Sequence, residues 1–199
     1  MKRTDVINLI IEKFKYKTYL EIGVKNPASN FDKIKIAQKD GVDPSWRRNP
    51  VTGNKYEMTS DKFFKKFKKS YDIIFIDGLH YYVQTDKDIH NSLDCLNPNG
   101  TIVLHDCNPI EKVMQNQPRT VSRWTGDVWK TIFKLRCQHP DIQIFTVDTD
   151  YGCCVVRGGK QKTLKLNIDK CLNWEFFEKN RKRVLNLIGI KEFKQWLRN

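Results

Sequence analysis

Short apolar runs alternate with amphipathic segments along the first 157 residues. This alternation constrains the fold more than any other feature of the chain. KTYLEIGV (17–24), YDIIFI (71–76) and TIVLHD (101–106) are apolar enough to be buried on both faces, as the strands of parallel sheets are. Between them lie helical patterns: Val6, Leu9, Ile10 and Phe14 in 4–14, and Ile89, Leu93 and Leu96 in the segment after Tyr81. NFDKIKIAQKDG (30–41) is read as a helix closed by Gly41. VDP (42–44) is read as the end of a short second strand and KYEMTS (55–60) as a weak third one. Ser60 has the position and chemistry of an N-cap for DKFFKKFKK, whose Phe63, Phe64 and Phe67 face inward. NPNG (97–100) reads as a turn, and 127–138 as a helix with Asp127 at its start. The strands 142–149 and 151–157 are too close for a crossover helix, so they form an antiparallel hairpin. Two more helices are expected at about 173–187 and 190–197.

Such alternation predicts an α/β fold: a Rossmann-like, doubly wound, mostly parallel sheet with helices on both faces, ending in an antiparallel hairpin. The 199 residues suit one domain. Its core would span about 1–157, followed by a basic helical extension over about 158–199.

Hydrophobic residues make up 39% and charged residues 30% of the chain, and no apolar run reaches membrane-spanning length. The basic N-terminus has an apolar stretch that Glu12 and Lys13 interrupt, too short for a signal peptide, so an intracellular (cytoplasmic) protein is expected. The net charge of +13 suits either a solvated lysine surface or an acidic partner, whether nucleic acid or a phosphate-bearing substrate. The six cysteines lack C-x-x-C spacing, which argues against zinc. They read as thiols of a reducing compartment, with Cys153 and Cys154 pointing to opposite faces of one strand.

Ligands of doubly wound sheets sit outside the carboxyl ends of the strands. Those ends carry Glu21 and Gly23, Asp43, Thr59 to Asp61, Asp77 to His80, and His105 to Asn108, an acidic set in a basic chain. A glycine after the first strand lets a ligand approach the backbone. Asp43, about 20 residues later, stands where an acid can bind ribose hydroxyls. Together they suggest a nucleoside-bearing cofactor. Asp77 and Asp106 end buried strands, and two close carboxylates repel unless a cation lies between them. His105 and Asn108 flank Asp106 as possible further ligands, although strand alternation can turn His105 away. His80, three residues after Asp77, has the side chain best suited to take a proton near neutral pH.

These stretches together (YLEIGV, GVDP, TSDKFF, YDIIFIDGLHYY, NPNGTIVLHDCNP, GDVWK and TVDTDYG) resemble the class I S-adenosylmethionine (SAM)-dependent methyltransferases. Within them the chain is similar to the small sugar and glycan O-methyltransferase branch, related to metal-dependent macrolide-sugar methyltransferases. The resemblance covers residues 19–152. It implies a seven-stranded sheet with a reversed last strand. It implies that Glu21, Gly23, Asp43 and Asp77 line the cofactor pocket, with Ser60 and Asp61 near the adenine. It implies magnesium or manganese on Asp77 and Asp106, with His105 a further candidate ligand, and His80 as base beside Asp77. Cys107 departs from the Asp-Asn pair common in related enzymes and is a poor ligand for a hard cation. Tyr81, Asn108, Arg119, Arg123, Trp124 and Trp129 are expected to form the acceptor wall, the aromatics stacking on a sugar and the arginines reaching phosphate.

The reading is therefore a metal-assisted O-methyltransferase of a sugar or glycan, nucleotide-linked substrates included. An RNA methyltransferase and a non-catalytic nucleic-acid-binding module are the alternatives. No appended RNA-binding motif supports the former, and the Asp77–His80–Asp106 set favours catalysis over mere binding.

Overall fold

The computed structural model describes residues 1–199. Eight strands form one sheet: β1 (Thr18–Ile22), β2 (Gln38–Val42), β3 (Asn54–Tyr56), β4 (Tyr71–Ile76), β5 (Leu96–Leu104), β6 (Ile142–Val147), β7 (Cys153–Gly158) and β8 (Leu187–Ile188). Their order across the sheet is β3-β2-β1-β4-β5-β7-β6-β8. β7 is the reversed strand, antiparallel to both β5 and β6, and the other pairings are parallel. From β1 the chain winds outward through β2 and β3, then returns to β4 on the other side of β1. This reversal puts the topological switch point between the carboxyl ends of β1 and β4, where such sheets bind ligands.

Seven helices complete the chain: α1 (Arg3–Phe14), α2 (Ser60–Lys66), α3 (Tyr82–Asp94), α4 (Trp129–Gln138), α5 (Ile168–Cys171), α6 (Trp174–Leu185) and α7 (Ile190–Arg198). Strand alternation sorts the core into two. Ile74, Ile76, Ile102, Leu104 and Cys154 pack with α3, α4 and α6. Ile73, Phe75, Val103, Val155 and Cys153 pack with α1 and α7. Cys153 and Cys154 thus face opposite sides, as expected, and all six thiols are free.

Several local expectations are corrected. Residues 30–41 form no α-helix: a 3-10 turn covers Phe31–Lys33, and Gln38–Val42 already pairs with β1. Phe31, Ile34 and Ile36 are all buried, and pairing on the sheet overrides a helix-like spacing. The cap of α2 is Thr59, whose hydroxyl accepts from Lys62 N, so Ser60 is the first helical residue. NPNG lies within β5, where Asn99 takes a positive φ of 63°. Helix α4 starts at Trp129; Asp127 instead accepts a hydrogen bond at 2.7 Å from Tyr82 N at the start of α3. The sheet has eight strands rather than seven, because the C-terminal extension adds β8 to the edge at β6. That extension also buries Phe177, Val184, Leu185 and Phe193 completely, so it contributes to the core.

Candidate active site

Asp77 follows the last residue of β4, and His105 and Asp106 follow the end of β5. Adjacent residues on an extended strand point to opposite faces. Asp106 breaks that rule with a φ of 56°, and the left-handed turn brings its carboxylate to the same point as the His105 ring. His105 Nδ1 lies 3.3 Å from both Asp77 Oδ1 and Asp106 Oδ2. His80, in the loop after β4, places Nε2 3.2 Å from Asp77 Oδ1 and Nδ1 3.3 Å from Asp106 Oδ2. Asp77, His80 and Asp106 each offer a ligand atom, and these atoms all lie within 4.8 Å of one another.

The electrostatics follow from this packing. Burial opposes ionisation of Asp77, yet His105 and His80 hold its carboxyl far below the usual range. Burial alone would lower the His80 value; Asp77 and Asp106 outweigh it and raise the imidazole above 6.5. His105 is raised further by Asp77, Asp106 and Asp150, again against burial. Even so, Nδ1 of His80 and Nδ1 of His105 are buried without a hydrogen-bond partner. Their 3.3 Å approaches to the carboxylates are close but misaligned.

Two cavities meet at the switch point. One, of about 470 Å³, runs from Val42, Asp43 and Pro44 past Ser60 and Asp61 to Gln84 and Asp88. The other, of about 430 Å³, holds Glu21, Asn30, His80, His105, Asp106 and Trp124. Gly23, Lys25, Asp77, Gly78 and Leu79 line both. Gly23 has a φ of 90°, and a Cβ there would lie 2.1 Å from the Asp77 carbonyl oxygen. Its glycine is therefore demanded by the approach of β1 to β4, a stronger reason than ligand access alone.

Glu21 is 2% exposed and accepts from Tyr19 Oη at 2.5 Å and Asn30 Nδ2 at 2.9 Å. Burial pushes its carboxyl up to about 7. Asp43 accepts from Lys25 N at 2.8 Å and Ser45 N at 2.7 Å, so the loops after β1 and β2 orient it at the cavity wall. Trp124 stacks on His80, with ring centroids 5.2 Å apart and planes 21° apart, and meets Tyr81 edge-on. Arg119 lies over the same indole.

Four expected wall residues line neither cavity, and of these Tyr81 stays close, edge-on to Trp124. Trp129 is fully buried, stacked on Phe177 and bonded to Gln115, because α4 turns its apolar face into the core. Asn108 is buried and occupied by Asp148 and Arg181. Arg123 is exposed and outside both cavities. Cys107 turns into the core, its thiol donating to Leu104 O.

Sequence reasoning missed Arg3 and Asp150. Arg3 Nη1 contacts Asp150 Oδ2 at 3.3 Å and His105 Nε2 at 3.1 Å, and Nε lies 3.8 Å from Asp77 Oδ2. Arg3 sits far from the strand ends in sequence, with no local motif to mark it. Asp150 was signalled only by its place in the hairpin turn, where its φ is 48°. Asn30, Gln84 and Asp88 were missed because none lies at a strand end: Asn30 links two 3-10 turns, and Gln84 and Asp88 lie inside α3.

A family described as a methyltransferase domain matches residues 29–107, about two fifths of the chain, from the turn before β2 through the end of β5. No curated protein matches the sequence. Among solved structures, the chain is similar to an O-methyltransferase from Bacillus cereus in complex with SAH (TM-score 0.61, 12% identity, 80% of this chain and 82% of that one). It is similar to the SAH-bound Podospora anserina methyltransferase PaMTH1 (TM-score 0.61, 15% identity, 79% and 78%). A third is TomG from Streptomyces achromogenes, an O-methyltransferase involved in tomaymycin synthesis, in complex with SAM (TM-score 0.57, 11% identity, 78% and 79%). The chain has the architecture of the SAM-dependent O-methyltransferases, and the segment that matches the methyltransferase-domain family carries the end of β4, one of the two strand ends at which the cavities meet.

Proposed function

We propose that this protein is a SAM-dependent O-methyltransferase that acts on a hydroxyl of a sugar or glycan, with a divalent cation assisting. The observation that carries the reading is His80, held between Asp77 and Asp106 where the two cavities join. Asp43 suits the ribose, and Ser60 and Asp61 border the adenine end. Glu21, beside Asn30 at the other side of Gly23, suits the cofactor's ammonium group. The methyl-bearing sulfur would then lie near the Gly23–Asp77 junction, in front of His80.

The side chains around Asp77 fit a cation. Two buried imidazole nitrogens without hydrogen-bond partners face two carboxylates. Arg3 Nη1 can only donate to His105 Nε2, 3.1 Å away, so the Nδ1 that faces the two carboxylates carries the ring proton and would give it up on ligating an ion. Asp77, Asp106 and His105 would hold the ion. A mixed imidazole and carboxylate set suits manganese better than magnesium. When bound, such an ion orients an acceptor hydroxyl and lowers its pKa.

The chain's own residues would supply the rest. His80 has 18% of its side chain exposed and His105 only 3%, so His80 is the histidine that can meet an acceptor's proton. It takes the hydroxyl proton as the oxygen attacks the methyl carbon, and SAM leaves as the neutral thioether. Trp124 walls the cavity above His80, braced edge-on by Tyr81, and is suited to stack on a sugar ring. Arg3, Lys25, Arg47 and Arg119 rim the same cavity, which favours an acceptor bearing phosphate or carboxylate.

Labelled SAM, offered with sugars, nucleotide sugars and RNA, with and without EDTA, tests the proposal. Label is expected in a sugar hydroxyl, and only without EDTA. Labelling of RNA alone refutes the acceptor class, and full activity in EDTA refutes the cation.

A further inference from the structure

We infer that Asp88 reads the 6-amino group of a purine base and makes the cofactor cavity selective for adenine over hypoxanthine. This inference rests on the reading of that cavity as the SAM site. Asp88 lies in the middle of α3, is 1% exposed, and lines the same cavity as Asp43. It forms no ion pair with any lysine or arginine. Gln84 Nε2 donates to its Oδ1 at 3.0 Å. Its Oδ2 faces the space over Gly78, 3.7 Å from where a Cβ would stand. A buried carboxylate with an oxygen open to a cavity is costly unless a donor reaches it.

The surrounding groups specify which donor. Ile22, Val42, Pro44 and Leu79 offer apolar walls to the two faces of a base. Along the edge stand an acceptor, Asp88, and one group able to donate, the Ser60 hydroxyl, 3.3 Å from the Gln84 amide nitrogen, whose own hydrogens are directed at Asp88 Oδ1 and Asp61 Oδ1, each 3.0 Å away. Adenine presents the complement: an amino donor at position 6 beside an acceptor at N1. Hypoxanthine presents the reverse, an oxygen at position 6 beside an N1–H donor. Its oxygen would face the Asp88 carboxylate, and sites built around a hydrogen bond reject ligands that leave their buried groups unpaired.

Calorimetry with S-adenosylhomocysteine and S-inosylhomocysteine at pH 8 tests this. Burial pushes the Asp88 carboxyl up to about 6, so it is ionised at that pH. The native protein is expected to prefer the adenine ligand by about a hundredfold or more. Asp88→Asn, which keeps the shape and supplies a donor, should narrow that preference by about tenfold or more, and Asp88→Ser should narrow it by weakening the adenine ligand. Equal binding of both ligands by the native protein overturns the inference. So does a folded Asp88→Asn or Asp88→Ser protein that retains the full preference. If the native protein binds neither ligand, the cofactor reading itself fails; if it binds both but position 88 does not matter, only the inference fails.

Discussion

The backbone of Gly23 passes so close to Asp77 that a Cβ at position 23 would lie 2.1 Å from the Asp77 carbonyl oxygen. The ends of β1 and β4 are locked together there, and both cavities use that ridge as a shared wall. Gly23→Ala must open the contact and also place a side chain at a φ of 90°. The expected loss is about 2–4 kcal/mol of stability, read from urea unfolding. A loss below about 1 kcal/mol would show that the ridge yields.

His80→Ala should lower kcat about 10²–10⁴-fold and leave cofactor affinity nearly unchanged. Equilibrium dialysis with labelled SAM beside steady-state rates separates the two. An equal loss in both would mean that His80 supports the pocket rather than the proton transfer.

Asp77→Asn and Asp106→Asn each remove a charge from the proposed cation site. Manganese binding, followed by calorimetry on the purified protein, should weaken by at least about tenfold in each variant. His105→Gln should weaken it as well. Unchanged binding in all three places the ion elsewhere.

Glu21 makes stability depend on pH. Its folded value of about 7 stands above the ordinary carboxylate value of 4.5 because burial disfavours the charge. The folded state therefore holds more protons between these values, so stability falls as pH rises through this window. The penalty is absent below about 4.5 and complete above about 7, at about 3 kcal/mol. Glu21→Gln should flatten that slope in denaturant melts between pH 5 and 8. A cofactor ammonium against Glu21 would favour its charged form, so SAM binding near pH 6.5 should release a proton. Calorimetry in buffers of different ionisation enthalpy detects it, and no buffer dependence would argue against that contact.

Trp124 and Trp129 should behave oppositely. Trp124→Ala removes the stack on His80 and should raise the acceptor KM with little change in melting temperature. Trp129→Ala empties a fully buried position and should cost about 3–5 kcal/mol. A destabilised Trp124→Ala with unchanged KM would reassign that residue to the scaffold.

Much of the sheet was legible because buried strands have a local signature. IIFI (73–76) and IVL (102–104) are apolar without interruption, and each lies in a central strand with an acid just beyond its end. The errors fell where local pattern and tertiary pairing disagree. Residues 30–41 have helical spacing, yet the edge of β1 needed a partner and drew 38–42 into the sheet. Trp129 and Asn108 resemble binding residues by type, but burial follows from which way α4 and the β5 loop face, and no local spacing reveals that.

The sequence by itself determined the α/β alternation, the reversed hairpin, and the acids at the strand ends, because period and side-chain chemistry are local properties. Only the tertiary structure decided which of those groups meet. A left-handed Asp106 brought two neighbouring side chains, His105 and Asp106, to one point. Arg3 and Asp150, 147 residues apart, closed around them. Asp88 was recruited from the middle of a helix to a cavity floor. Those meetings depend on strand order and on the packing of helices across the sheet, and these arise from contacts between residues distant in the chain.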